Sequence, residues 1–177
     1  MSHYRRNYLA GGTFFFTVKL ANSKSCLLVE QIDLLREAYA FVQQRYAFET
    51  VAVCVLPNHI HAVWALPDGD DDYSLRWRLL KTKFSDAFES LENISASKKR
   101  RREKGIWQRR FYEHTVCDDA DLRRCVDYVY FNPVKHGLVN RVIDWPYSTF
   151  HRDVSLGLYP PDWAGDVADF DAGERKQ

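Results

Sequence analysis

The amino-acid sequence predicts an α+β fold built on an antiparallel, ferredoxin-like split β-α-β sheet with helices. Three observations predict it. Four segments, at 13–20, 50–56, 59–66 and 106–116, are rich in the aromatic and β-branched residues that suit a pleated sheet. Apolar residues recur at helical spacing in the stretches between and after them. Their order, strand, helix, strand, strand, helix, strand, is that of a split β-α-β sheet. With 177 residues, 46% of them hydrophobic, the chain can bury one core, so residues 1–177 are read as one domain with a basic loop at about 92–105 and a tail at about 152–177.

Residues 1–12 are a polar, basic lead-in ending in Gly11-Gly12, and 13–20 form the first strand. Ile32, Leu35, Tyr39 and Val42 then mark an amphipathic helix over 30–45. Strands 50–56 and 59–66 make a hairpin across Pro57-Asn58. Side chains two apart on a strand share a face, so His59 and His61 aim at one place while Ile60, Ala62, Trp64 and Leu66 pack behind them. The acidic run from Asp68 to Asp72 lacks the downstream glutamate of a calcium loop and favours the start of a helix over 74–90. On that helix Leu80, Phe84, Ala87 and Leu91 face inward, and Arg76, Arg78, Lys81 and Lys83 project. Residues 92–104 have no apolar periodicity and read as a mobile loop; 106–116 return to strand composition.

The last long helix starts at Asp118 or Asp119, which can cap it, with Asp121 favouring its positive end. Leu122, Cys125, Val126 and Val129 form its packing stripe. Tyr128 and Tyr130 lie about 200° apart around a helix and cannot share a face. Asn132 falls beside Tyr128 if the helix persists, although Pro133 disfavours helical geometry at the residue before it. Lys135 and His136, ahead of Gly137, suit a helix C-terminus.

Between Arg76 and Arg110 twelve basic residues face four acidic ones, a surplus suited to phosphates, whereas the last 17 residues carry five acidic against two basic. Cys26, Cys54, Cys117 and Cys125 show no knuckle or redox spacing and read as reduced thiols of a cytoplasmic protein. No apolar run approaches a membrane span, and no signal peptide is expected.

The segment Leu56-Pro57-Asn58-His59-Ile60-His61, taken with Asp127-Tyr128-Val129-Tyr130-Phe131-Asn132-Pro133-Val134-Lys135-His136-Gly137, resembles the HUH single-tyrosine transposases, most closely their REP-associated branch. The likeness extends from Tyr4-Arg5-Arg6 and Gly11-Gly12-Thr13 through Trp107-Gln108 to the stretch from Trp145 to Asp153. It implies an HUH-type fold and a metal-dependent enzyme that cleaves and rejoins single-stranded hairpins of repeated extragenic palindromes through a 5′-phosphotyrosine. It implies Tyr128 as nucleophile and His59, His61 and Asn132 as ligands to Mg2+ or Mn2+, Asn132 standing where broader relatives carry glutamine. Arg5, Arg6, Arg78, Lys81, Arg109, Arg110, Lys135 and His136 are the expected DNA contacts; His114, Lys135 and His136 remain candidates for a general base. The branch is typically monomeric whereas many insertion-sequence relatives act as dimers, so a monomer is expected with a dimer as the alternative, acting in the bacterial cytoplasm near the nucleoid. Two competing readings are a non-catalytic single-stranded nucleic-acid-binding module of ferredoxin-like fold and a metal-dependent hydrolase that activates water. The tail is expected to lie over the DNA groove or active site.

Overall fold

Aromatic and β-branched side chains populate both faces of β1 (Thr13–Lys19), whose five interior residues are all buried. In the computed structural model, which describes residues 8–89, 104–165, 172 and 173, this strand is central. It pairs antiparallel with β3 (His59–Ala65) on one side and β4 (Tyr112–Thr115) on the other. With β2 (Glu49–Val55) outside β3, the order is β2-β3-β1-β4, that of the expected split β-α-β sheet. The outer edge of β2 is covered: Val55 N–H donates to the Tyr147 carbonyl and Thr149 N–H to the Val53 carbonyl. Such a cap removes an edge open to foreign strands.

Helices cover both faces of the sheet. On one, Phe14, Phe16, Ile60, Ala62 and Trp64 pack against α2 (Ile32–Arg45) and α3 (Tyr73–Ser85), where Trp64 stacks on Trp77 at 4.1 Å. A four-residue helix, α1 (Leu27–Glu30), precedes α2, so the helix expected over 30–45 breaks at Gln31. On the other face, Phe15, Ala52, Cys54 and Val63 pack against Cys125, Val126 and Val129 of α4 (Asp119–Lys135). A short 3₁₀ turn (Val142–Asp144) and α5 (Phe150–Ser155) follow.

Four local expectations are corrected. Helix α3 ends at Ser85, Ala87 beyond it is exposed, and Leu91 lies outside the described residues, as does most of the basic loop. Only 112–115 of the segment 106–116 form a strand, apart from a bridge between Trp107 and Leu20. The tail drawn from residue 152 begins inside α5, where Arg152 Nη1 and Nη2 donate to the carbonyls of Thr50 and Val51. Finally, Arg76 does not project: it is 2% exposed.

Arg76 stands three residues after Tyr73 and four before Leu80, on the buried stripe of α3. Its guanidinium grips both carboxylate oxygens of Asp70 at 2.6 and 3.0 Å and donates to the carbonyls of Tyr46, Ala47 and Asp72. Those bonds from Arg76 hold the Asp70 carboxyl below the usual aspartate range. Because the folded-state value is depressed, the contribution is complete above the ordinary aspartate pKa of about 4 and is lost as pH falls through the lower folded value. Arg76→Met is expected to cost about 3 kcal/mol at neutral pH and to flatten that acid-side loss. Urea unfolding from pH 7 to pH 2.5 measures both effects.

Candidate active site

Period-two alternation along β3 puts the rings of His59 and His61 on the α4 side with centroids 4.8 Å apart, both buried. Helix α4 is capped by Asp118, whose side chain accepts from Asp121 N–H, and runs unbroken through Pro133. It ends in a Schellman motif: Leu138 N–H donates to the Pro133 carbonyl and Gly137 N–H to the Val134 carbonyl, with Gly137 at φ +67°. Helical geometry therefore reaches Asn132, whose Nδ2 donates to the Tyr128 carbonyl at 3.1 Å. The same ending holds Lys135 and His136 in the last turn.

Tyr128, 3% exposed, meets the histidines edge-on: its ring centroid is 5.3 Å from that of His61 and 5.8 Å from that of Phe15. Lys135 Nζ donates to Tyr128 Oη at 2.7 Å and lies 4.5 Å from the ring centroid. The His136 ring is 5.2 Å from His59. One cluster thus joins the sequence-predicted Tyr128, His59, His61, Lys135 and His136, with Asn132 one helical turn beyond the tyrosine.

Neighbouring polar groups fix the tautomers of both histidines. Thr17 sits opposite His61 in the β1–β3 register, and its hydroxyl donates to the Ala172 carbonyl at 2.8 Å. That bond uses its only proton, so at the 3.0 Å contact with His61 Nδ1 the ring nitrogen is the donor. Asn58 Nδ2 donates to the Ser23 carbonyl, which turns Oδ1 toward His59 Nδ1 at 2.5 Å, again with the ring as donor. In both rings the lone pair is left on Nε2, the arrangement that outer partners impose on metal-binding imidazoles. Asn132 Oδ1 is buried without a hydrogen-bond partner among the described residues, an acceptor with capacity for a cation. Two imidazole lone pairs and an amide oxygen are donor types that fit a divalent metal. Thr17 and Asn58 were not singled out from sequence. The strand register to His61 is the signal for Thr17, and adjacency to His59 the signal for Asn58.

Other candidates fall elsewhere. Tyr130 points the opposite way, donating to Asp153 at 2.6 Å; burial first, and that carboxylate second, push its phenol well above the ordinary tyrosine value. His114 bonds Asp121 at 2.8 Å. Asp121 stands near the start of α4, seven residues before Tyr128, and holds the His114 ring there. His114, Asp121 and Cys125 do bring potential ligand atoms within 4.8 Å of one another. Asp121, however, already accepts from Cys117 N–H and Arg124, and burial pushes the Cys125 thiol up to about 12. Burial opposes the Asp121 charge, but the bonds from Cys117, His114 and Arg124 outweigh it and hold its pKa low. This is a packed ion-pair network between β4 and α4. Arg78, Arg109 and Arg110 are exposed, while Lys81 donates to the Gln108 carbonyl; Arg5 and Arg6 lie outside the described residues.

No family model matches the chain. A REP-associated tyrosine transposase of Escherichia coli K12 is 54% identical over 175 residues, 99% of this chain and 98% of that protein. A Haemophilus influenzae protein named for the same family is 48% identical over 93% of this chain and 94% of its own length. Among solved structures, a REP-associated tyrosine transposase bound to a REP hairpin superposes with a TM-score of 0.88 at 52% identity, covering 100% of this chain and 99% of that one. On full-length identity and shared fold, this chain belongs to the REP-associated tyrosine transposases.

Proposed function

We propose that the chain cleaves and rejoins single-stranded DNA at hairpins of repeated extragenic palindromes, through a 5′-phosphotyrosine on Tyr128. The observation that carries this reading is the phenol of Tyr128 held between Lys135 Nζ and the His61 ring. The hairpin carried by the 52%-identical neighbour supports the substrate class.

Tyr128 Oη attacks a backbone phosphorus; the Oη–P bond forms, the P–O3′ bond breaks, and the departing 3′-oxygen is protonated by water. A different 3′-hydroxyl reverses the step and joins a new strand, which covalent storage of the bond makes possible. The Lys135 ammonium favours negative charge on the attacking oxygen and receives it again when the tyrosine leaves. It is a donor in this role, and the phenolic proton passes to solvent. His59, His61 and Asn132 would hold Mg2+ or Mn2+, which when bound polarises a non-bridging phosphate oxygen. Arg5, Arg6, Arg78, Lys81, Arg109, Arg110 and His136 supply phosphate contacts, and the enzyme acts as a cytoplasmic monomer.

Labelled hairpin DNA incubated with the protein and either metal tests the reading. A denaturant-resistant protein–DNA adduct is expected. Salt-sensitive binding without cleavage would favour a binding module, and cleavage that survives Tyr128→Phe would favour a water-activating hydrolase.

The tail regulates access to this site. Besides the Ala172 bond to Thr17, Gly173 at φ +65° presses on the Tyr112 ring, where an added Cβ would lie 2.5 Å from ring carbons. Tyr159 and Trp163, in contrast, are packed with Phe150, so deletion from residue 158 would remove core. Truncation after Gly165 spares them but also releases the Thr17 hydroxyl from Ala172, so it is at saturating Mn2+ that the initial rate of adduct formation is expected to rise several-fold. An unchanged rate would reject the regulatory role.

A further inference from the structure

The face of β1 that presents Thr17 to His61 carries a lysine at its far end. Phe15, Thr17 and Lys19 alternate onto the α4 side of the sheet: Phe15 meets the Tyr128 ring, Thr17 stands opposite His61, and Lys19 stands opposite His59. Facing Cβ atoms in such a register are about 4.5–5.5 Å apart, so Lys19 borders His59 directly. Its backbone is fixed from both sides. Leu20 N–H donates to the Asn58 carbonyl at 2.8 Å, and Gln108 N–H donates to the Lys19 carbonyl at 2.9 Å. The side chain is half-buried and, with Asn58, His59, Gln108 and His136, lines a cavity of about 290 Å3. Its Nζ donates to the Gly173 carbonyl at 3.4 Å, a long bond for an ammonium, while Thr17 holds the preceding carbonyl of Ala172. Two consecutive tail carbonyls thus occupy the donors of β1, and displacing the tail leaves the Lys19 ammonium facing the cavity.

The candidate site therefore has a lysine at each end. Lys135 donates to Tyr128 Oη, the attacking oxygen. Lys19 lies four residues beyond Phe15, about 13 Å along β1, at the His59 end. In-line displacement puts the departing oxygen on the side of phosphorus opposite the attacking one. With the phenol against His61, the departing 3′-oxygen falls toward His59 and the cavity that Lys19 lines. Gln108, at the same end, carries no charge, whereas a lysine ammonium brings a full positive charge and three donors.

We propose that the Lys19 ammonium donates to the departing 3′-oxygen and stabilises the negative charge that builds there as the P–O3′ bond breaks. The proposal rests on the strand-transfer reading above and adds to it a second catalytic cation. The electron pair of the breaking bond goes to O3′, Lys19 keeps its protons, and water supplies the proton of the 3′-hydroxyl. In the joining step the same ammonium stabilises the incoming 3′-oxygen while Lys135 receives the charge returned to the phenol. A donor aimed at charge that appears only as the bond breaks raises the rate and leaves ground-state affinity nearly unchanged.

The test changes the leaving atom. Hairpin DNA with sulfur in place of the bridging 3′-oxygen at the cleavage site releases a thiolate, which needs little stabilisation because a thiol ionises far more readily than an alcohol. Adduct formation on the oxygen-linked and sulfur-linked DNAs is followed in single turnovers with Mn2+, affinity is read by fluorescence anisotropy, and a melting curve checks the fold of each variant. Lys19→Met is expected to slow adduct formation on the oxygen-linked DNA about 100-fold, to stay within about threefold of wild type on the sulfur-linked DNA, and to keep hairpin affinity within about twofold. Lys19→Arg keeps a cationic donor and is expected to recover about tenfold of that loss. A change in fold, tail docking or phosphate binding slows both DNAs alike. Equal losses on the two DNAs, or none on either, would therefore overturn the role of Lys19 and leave the strand-transfer reading standing. No adduct from wild type on the oxygen-linked DNA would instead remove that reading, and the role of Lys19 with it.

Discussion

Tyr128→Phe is expected to lower adduct formation by roughly 10⁴-fold or more, to background, because it removes the hydroxyl proposed to store the phosphodiester. Its ring contacts with Phe15 and His61 survive the change, so hairpin affinity should stay within twofold and stability within about 1 kcal/mol. The informative control is Tyr130→Phe. That tyrosine is fully buried and donates to the nearly buried Asp153, itself bonded to Arg152. Losing its hydroxyl leaves a carboxylate short of a donor and is expected to cost about 1–3 kcal/mol, with adduct formation per folded molecule retained. Two tyrosines two residues apart should therefore separate cleanly, one in chemistry and one in stability. Adduct gels and thermal melts on the same preparations read the outcome.

The second large effect concerns the proposed metal ligands. His59→Ala with His61→Ala removes both imidazoles and is expected to abolish Mn2+ binding by titration calorimetry, and adduct formation with it. A graded companion is Thr17→Val, which keeps the shape of the side chain but no longer accepts from His61 Nδ1. The ring then loses the partner that sets its tautomer, and Mn2+ affinity is expected to fall about 10–100-fold. Calorimetry reports this independently of catalysis. Unchanged affinity in both variants would place the metal elsewhere, with His114, Asp121 and Cys125 the next residues to mutate.

The elements and the candidate site were legible to different depths because they rest on interactions of different range. Alternation along β3 and the four-residue step from Tyr128 to Asn132 are local, so sequence alone could group those side chains. Helix α4 ran through Pro133 where local rules disfavoured it; the Schellman bonds from Gly137 and Leu138 secure its last turn. Arg76 was misread because a charge suggested solvent, although its spacing from Tyr73 and Leu80 put it inward, where Asp70 and three carbonyls await it. The bond between Thr17 and Ala172 spans 155 positions and has no local signature at all. A cleft behind α3 is of the same kind: Trp107 and Arg109 meet Arg78 and Lys81 only because 104–111 folds back along the helix.

Mapping the site of covalent attachment tests the central claim most directly. The protein is incubated with labelled hairpin DNA and Mn2+, denatured and digested, and the nucleotide-bearing peptide is sequenced by mass spectrometry. A phosphodiester ester on Tyr128 is the predicted result. Attachment at Tyr130 or Tyr112, or cleaved DNA with no modified peptide, would contradict it.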